Sequence, residues 1–169
     1  MLSNKIISER LILREMAISD AKDVWEIWNN SGNQKYMGDP VESQEEIISI
    51  CQNNKNGDDY LTVATLKNTG EIIGTCCFGP TSRKEEWGFG YSIKENFWGK
   101  GYATEIVKSV IEFGYGLGVR DFVSSCAIEN TGSWKVMEKC GMKIDRKSTI
   151  KQPKTNTVYE SYVYRLHLD

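Results

Sequence analysis

The chain has one histidine, three prolines and no long hydrophobic run, and each shortage excludes something. His167 stands two residues from the C-terminus, so a Ser-His-Asp or Cys-His catalytic group, or a His-ligated metal site, would depend on one residue of a terminal segment. No metal is expected. Three prolines in 169 residues, without a repeat or low-complexity tract, leave no stiff linker, and residues 1–169 read as one domain. No stretch approaches the roughly 18 consecutive apolar residues of a membrane helix. The first ten residues lack the apolar core of a signal peptide, so a cytoplasmic protein with no membrane partner is expected. The five cysteines, Cys51, Cys76, Cys77, Cys126 and Cys140, are odd in number and form no C-x-x-C, which argues against a disulfide framework or a zinc site and for small buried hydrophobes. Nor is there a basic excess: 21 Lys and Arg against 23 Asp and Glu give a net charge of −2, unlike a nucleic-acid binder that works by charge alone.

What is present is ordinary for a soluble globular chain, 40% hydrophobic and 26% charged. Residues 10–14 read as a first strand. A helical pattern follows with Ala21, Val24, Trp25 and Trp28 on one face and Ser19 or Asp20 as N-cap. Residues 29–40, rich in Asn and Gly, read as loop. Ser43 and Glu46 form an S-x-x-E capping box for a second helix that buries Ile47, Ile48 and Cys51. The period then changes: residues 60–66 and 71–78 are strands joined by a turn at 67–70, and 87–93 is another. Residues 100–116 carry the apolar stripe Ala103, Ile106, Val107, Val110 and Ile111 of a helix. Residues 122–128 read as a strand, 131–140 as a helix closed by Gly141, and 142–149 and 158–167 as two last strands. The order β-αα-βββ-α-β-α-ββ predicts a mixed sheet with helices on both faces.

The chemistry is concentrated in Trp98-Gly99-Lys100-Gly101-Tyr102-Ala103-Thr104-Glu105, between a predicted strand and an amphipathic helix. Two glycines and an alanine at alternate positions allow a tight turn and close approach of a ligand. A helix start supplies unpaired N–H groups and the positive end of a dipole, and Lys100 adds a point charge, a combination suited to phosphate or diphosphate. The Walker A pattern fails, because no Gly-Lys-Ser or Gly-Lys-Thr occurs here. The dinucleotide fingerprint fails too, because Thr104 stands where its third glycine belongs and Asp121 begins a strand instead of following one.

The segment instead resembles the acyl-CoA pyrophosphate loop of the GNAT N-acetyltransferase superfamily, Gln/Arg-x-x-Gly-x-Gly/Ala, with Trp98, Gly101 and Ala103 in the three named places. Its Trp-Gly-x-Gly-Tyr-Ala form is similar to the branch containing the ribosomal-protein (Rim-type) N-terminal acetyltransferases. Glu9-Arg10-Leu11-Ile12-Leu13-Arg14 resembles that branch's opening strand, and Gly90-Tyr91-Ser92-Ile93 its strand before the loop. Glu129-Asn130-Thr131-Gly132-Ser133 and Met137-Glu138-Lys139-Cys140-Gly141-Met142 resemble its Glu-Asn-x-x-Ser and Glu-Lys-x-Gly-Phe patterns, in the same order along the chain.

The resemblance implies a single α/β (α+β) GNAT-like domain, with a mixed, mostly antiparallel, splayed sheet and helices on both faces. It implies an enzyme that transfers the acetyl group of acetyl-CoA directly to a primary amine, with acetyl-CoA in the gap between the strands ending near Ile93 and Ile128. The pantetheine arm would pair with the backbone of Tyr91, Ser92 and Ile93. The diphosphate would sit on N–H groups of Gly99, Lys100, Gly101, Tyr102 and Ala103, flanked by Trp98 and Thr104. Asn130 is a pantetheine contact or a helix cap. Ser133 is the donor of a proton to the CoA thiolate or a helix-start hydrogen-bonder, and the oxyanion donor is a backbone N–H near Ser92. The branch's glutamate two residues before Gly-Tyr is replaced here by Gly88. Glu86, on the same strand face, is the substitute candidate, acting through water, and reads equally as a solvated charge. A covalent route through Cys126 lacks a histidine to activate it. The acceptor site would draw on residues 29–40, with Tyr36, Met37, Asp39 and Glu42, and on residues 151–157, while Arg146, Lys147, Lys151 and Lys154 offer a basic cluster. The expected partner is an amine, a protein N-terminus or a small molecule such as a polyamine, amino acid or antibiotic. A homodimer is compatible with this reading, and direct nucleic-acid binding is not expected. The rival reading is an acyl-CoA-binding sensor without turnover.

Overall fold

The computed structural model describes residues 5–36, 40–54, 59–83 and 85–169. Eight strands form one open sheet: β1 (Ile6–Ile7), β2 (Leu11–Glu15), β3 (Tyr60–Leu66), β4 (Ile72–Pro80), β5 (Glu86–Ile93), β6 (Asp121–Ala127), β7 (Lys143–Gln152) and β8 (Thr157–His167). Their order across the sheet is β1-β2-β3-β4-β5-β6-β8-β7, and every neighbouring pair is antiparallel except β5 with β6. Five helices accompany them: α1 (Ala21–Trp28), α2 (Ser31–Gln34), α3 (Gln44–Asn53), α4 (Tyr102–Gly116) and α5 (Thr131–Lys139). No helix among the described residues is long and apolar enough to cross a membrane.

Strand alternation sends successive side chains to opposite faces, so each face builds its own core. On one, Leu11, Leu13, Phe78 and Phe122 meet Ile106 and Val110 of α4. On the other, Leu61 and Val63 meet Val24 and Ile27 of α1 and Ile47 of α3. The expected helices on both faces are therefore present. Contact on the α4 side is close enough that a Cβ on Gly114 would lie 2.9 Å from the Phe122 ring.

Four local expectations are corrected. The first strand is preceded by the short β1, which pairs Ile6 with Leu13. Residues 31–34 form a helical turn because the Asn30 side chain accepts from Gly32 N–H at 2.9 Å, a local cap inside a segment rich in loop-formers. Asp20 precedes α1 but does not cap it; its carboxylate instead accepts from the two terminal guanidinium nitrogens of Arg14, at 2.6 and 2.9 Å, and from Ala17 N–H at 2.8 Å. The Ser43 cap is present, with Glu46 N–H donating to Ser43 Oγ at 3.2 Å, but the Glu46 carboxylate reaches Glu42 N–H instead of closing the box. Gly141 takes a left-handed φ of 83° after α5, and Met142 N–H bonds back to Met137 C=O, as a helix C-terminus requires.

Candidate active site

The one parallel junction in the described sheet is short. Beta-5 and β6 pair only at Glu86 with Asp121, Trp87 with Phe122 and Gly88 with Val123, then part. Packing of Tyr60, Phe78, Trp87 and Phe113, with ring centroids 5.0 to 6.5 Å apart, lies against this closed end. Beyond it the remaining five residues of β5 run on for ~16 Å with no strand on that side. Ser124 Oγ bridges the first step by donating to Phe89 C=O at 2.7 Å.

That bond fixes which main-chain groups face the opening. Phe89 C=O points toward β6, whereas Glu86 C=O and Lys94 N–H bond to the β4 side. In a regular antiparallel pair, N–H and C=O of one residue point the same way and alternate along the strand. The groups aimed at the gap therefore belong to Tyr91 and Ile93, and the N–H of Ser92 faces β4. A backbone N–H near Ser92 that faces the gap is therefore that of Tyr91 or Ile93, not that of Ser92 itself. Ile93 C=O is already taken, by Trp98 Nε1–H at 2.7 Å and Asn33 Nδ2–H at 3.0 Å. Trp98 thus pins the end of β5, and its ring packs on Gly32, where a Cβ would approach to 2.5 Å. Tyr91 N–H, Tyr91 C=O and Ile93 N–H have no partner among the described residues.

Eight residues further on, the chain turns into α4. Gly99 and Gly101 have φ of 73° and 83°, left-handed values at which a side chain would be strained. The N–H groups of residues 99–104 find no carbonyl partner among the described residues; the first intrahelical bond is Glu105 N–H to Gly101 C=O. Arg10 holds this turn in place. Its guanidinium lies 4.2 Å from the Tyr102 ring centre, donates to Lys100 C=O at 3.0 Å and pairs with Glu105 at 2.7 Å. Because a trans peptide sends C=O and N–H in opposite directions, pinning Lys100 C=O to Arg10 turns Gly101 N–H outward. Burial alone would raise the Glu105 carboxyl; bonds from Arg10 N–H, Ser8 Oγ–H and the guanidinium more than offset it, so the charge at the helix start persists. Lys100 itself lies exposed over the Phe97 ring.

Across the gap, α5 begins at the end of β6. Asn130 Oδ1 accepts from Ser133 N–H at 3.2 Å, which realises its capping role and leaves its NH2 group for another partner. Ser133 Oγ lies 3.0 Å from the Tyr91 hydroxyl. Burial pushes the Cys126 thiol up to about 11, an effect tempered by a hydrogen bond with Ser133. These residues line a cleft of about 360 Å³ together with Trp28, Asn33 and Tyr36. Among its described lining residues there is no Asp, Glu, Lys, Arg or His.

Glu86 is not brought to the cleft. It sits at the closed end, six residues or ~20 Å along β5 from Ser92. There its buried carboxylate is bound by Arg165 and by Thr81 Oγ1–H at 2.9 Å. Of the two alternatives the sequence left open, a base acting through water and a solvated charge, the structure shows neither: Glu86 is in a buried ion pair, because β8 runs antiparallel beside β6 and delivers Arg165 to that point. His167 lies at the same end, 2.8 Å from Asp121.

On the acceptor side, Tyr36 packs edge-on against Tyr159 at 6.0 Å, and Gln152 donates to Gln34 C=O at 3.1 Å, tying the β7–β8 hairpin to α2. Lys154 pairs with Glu46 at 2.7 Å and Arg146 with Asp145 at 2.6 Å, so the basic cluster is partly engaged internally. Lys35 and Glu129 meet at 3.1 Å. Met37 and Asp39 lie outside the described residues.

A sheet that opens beside a glycine-rich helix start offers main-chain groups to an extended, anion-bearing ligand, and sequence comparison gives the family. The family profile for the acetyltransferase (GNAT) domain matches residues 10–143, and the chain belongs to this family of acetyltransferases. The chain is 27% identical over 164 residues, 95% of each chain, to the uncharacterized N-acetyltransferase YnaD of Bacillus subtilis (strain 168). Among solved structures it is similar to RimL, a ribosomal-protein α-N-acetyltransferase, in complex with coenzyme A held as a disulfide to a cysteine. That match has a TM-score of 0.83 and 21% identity, covering 98% of this chain and 99% of that one. It is similar also to the microcin self-immunity acetyltransferase MccE in complex with acetyl-CoA and AMP, at TM-score 0.81 and 20% identity, covering 95% and 93%.

Proposed function

We propose that residues 1–169 form one catalytic domain that binds acetyl-CoA and transfers its acetyl group directly to a primary amine, preferentially the α-amine of a peptide or protein N-terminus. The observation that carries this reading is the continuity of an unpaired β5 edge with a cradle of unpaired amides at residues 99–104. An amide-rich arm pairs with the first and a diphosphate accepts from the second. CoA-bearing structures of similar proteins support the choice of ligand.

In this reading Tyr91 N–H, Tyr91 C=O and Ile93 N–H hold the arm, and an N–H of this pair meets the oxygen on which negative charge grows. Ser133 gives a proton to the departing sulfur. The acceptor arrives from the side of Tyr36 and the β7–β8 hairpin and must be deprotonated before attack. At pH 7 that costs an α-amine of pKa ~7.8 about 1 kcal/mol and a lysine of pKa ~10.4 about 4.6 kcal/mol. A described lining without an acid or base favours the acceptor that needs least help.

Calorimetry with CoA is the first test. Gly101→Val, which forces a β-branched residue into φ 83°, should weaken CoA binding about a hundredfold through strain and lost phosphate bonds. Equal affinity in variant and parent would remove the cradle assignment. Thiol release should then be fastest with free-N-terminus peptides, slower with polyamines and with N-blocked peptides carrying lysine; a preference for the lysine side chain would overturn the α-amine assignment. Cys126→Ala should keep turnover within about twofold, because a thiol held at about 11 is overwhelmingly protonated at neutral pH. An acetylated Cys126 in intact-protein mass spectra would establish the covalent route instead.

A further inference from the structure

We infer that the Tyr91 side chain is a positioning residue for Ser133: its phenol donates to Ser133 Oγ and thereby turns the serine's own proton toward the sulfur of the bound thioester. The inference rests on the assignment of Ser133 above as the group that meets the leaving thiolate. In the sequence Tyr91 enters only through its backbone, and its side chain has no assigned role.

The Tyr91 ring extends from β5 to α5, on the sheet face where Cys126 and Met137 also lie. Its hydroxyl is 3.0 Å from Ser133 Oγ and 3.4 Å from Ser133 C=O, so Oγ is the partner within good O–H···O range. Either oxygen could donate across that contact. Burial raises the Tyr91 phenol well above its ordinary value, which keeps its hydrogen in place, and the carbonyl is too far to take it well. A serine hydroxyl has one hydrogen and two acceptor positions. With one acceptor position filled by Tyr91, the hydrogen is free to point elsewhere, and its other neighbour is the weakly hydrogen-bonding thiol of Cys126. Meanwhile Asn130 Oδ1 fixes Ser133 N–H at 3.2 Å. Ser133 is thus held at its backbone from α5 and at its side chain from β5, across the opening between the strands.

The proton balance is simple. The acceptor nitrogen bonds to the acyl carbon, the C–S bond breaks and its electron pair leaves on sulfur, and Ser133 passes its hydrogen to that sulfur. Ser133 is reprotonated from solvent, which receives the surplus proton of the acceptor nitrogen. Tyr91 keeps its hydrogen throughout and steadies the charge that grows on Oγ.

The test needs no acceptor. The thiol of bound CoA is titrated through its thiolate absorbance, with desulfo-CoA as the blank. Two donors in series stabilise the thiolate, so the wild-type complex should titrate lowest. Tyr91→Phe should raise the midpoint by roughly half to one unit, Ser133→Ala by as much or more, and the double variant no further than Ser133→Ala. Phenylalanine keeps the ring, and an unchanged thermal midpoint verifies packing. With an active acceptor, Tyr91→Phe should lower kcat ~10-fold and leave KM for acetyl-CoA within about twofold. An unmoved midpoint in Tyr91→Phe where Ser133→Ala shifts it, or additive shifts in the double variant, overturns the inference and spares the Ser133 assignment. If neither variant moves the midpoint, both fall.

Discussion

Ser133→Ala is expected to lower kcat for acetyl transfer about a hundredfold while CoA affinity stays within about threefold. A hundredfold is the lower end of what a positioned proton donor contributes. The site can lose the hydroxyl without losing its shape. Asn130 caps the backbone N–H of residue 133, not its side chain, and alanine is a good helix former. A fall in thermal midpoint of more than a few degrees would therefore be surprising. Steady-state kinetics with calorimetry separates the outcomes: wild-type kcat in the alanine variant removes the proton-donor role, whereas a parallel loss of CoA affinity would make Ser133 a binding residue.

The second large effect is on stability. Removing Arg165 as Arg165→Met should destabilise the fold by about 3 kcal/mol, lowering the thermal midpoint by roughly 6–12 °C. The Glu86 side chain is only 7% exposed, and without Arg165 its charge keeps one neutral donor, Thr81 Oγ1–H. Arg165 is itself 25% exposed, so water softens the loss and the low end of the range for broken buried pairs applies. Glu86→Gln should cost less, since the amide can still bond Thr81 and Arg165 is left partnered by Asp145 at 3.1 Å. The same variant decides whether Glu86 touches the chemistry: its kcat should keep the wild-type pH profile. A lost alkaline or acidic limb at unchanged stability would return Glu86 to the role of base.

The contrast between Glu86 and Ser133 shows what the sequence makes legible. Periodicity placed most of the elements, because apolar stripes such as Ile106, Val107, Val110 and Ile111 follow helix geometry whatever the tertiary contacts. Glycines at 99 and 101 announced a turn that only a residue without Cβ adopts easily. By contrast, Glu86 stood at the very start of the expected strand, yet its fate depended on Arg165, 79 residues away, which no local pattern reveals. The direction of main-chain groups at Ser92 was likewise hidden, since it follows from strand pairing and the single bond from Ser124. The helix at residues 31–34 was masked by Ser, Gly and Asn, residues that favour turns until a side chain such as Asn30 caps them. Asn33 and Tyr91 side chains carried no signal beyond their type; an amide and a phenol each need a partner when buried, and that partner is known only once the fold is.

Three rungs are all that stitch the first five strands to the last three. Main-chain bonding across a sheet is usually cooperative, and here it is interrupted at the centre, where sheets are normally strongest. A guest that fills the opening supplies the missing stitches itself. Its grip on the protein and the mechanical integrity of the sheet then rest on the same bonds, so an empty seam is the weak line of the molecule and an occupied one is its suture.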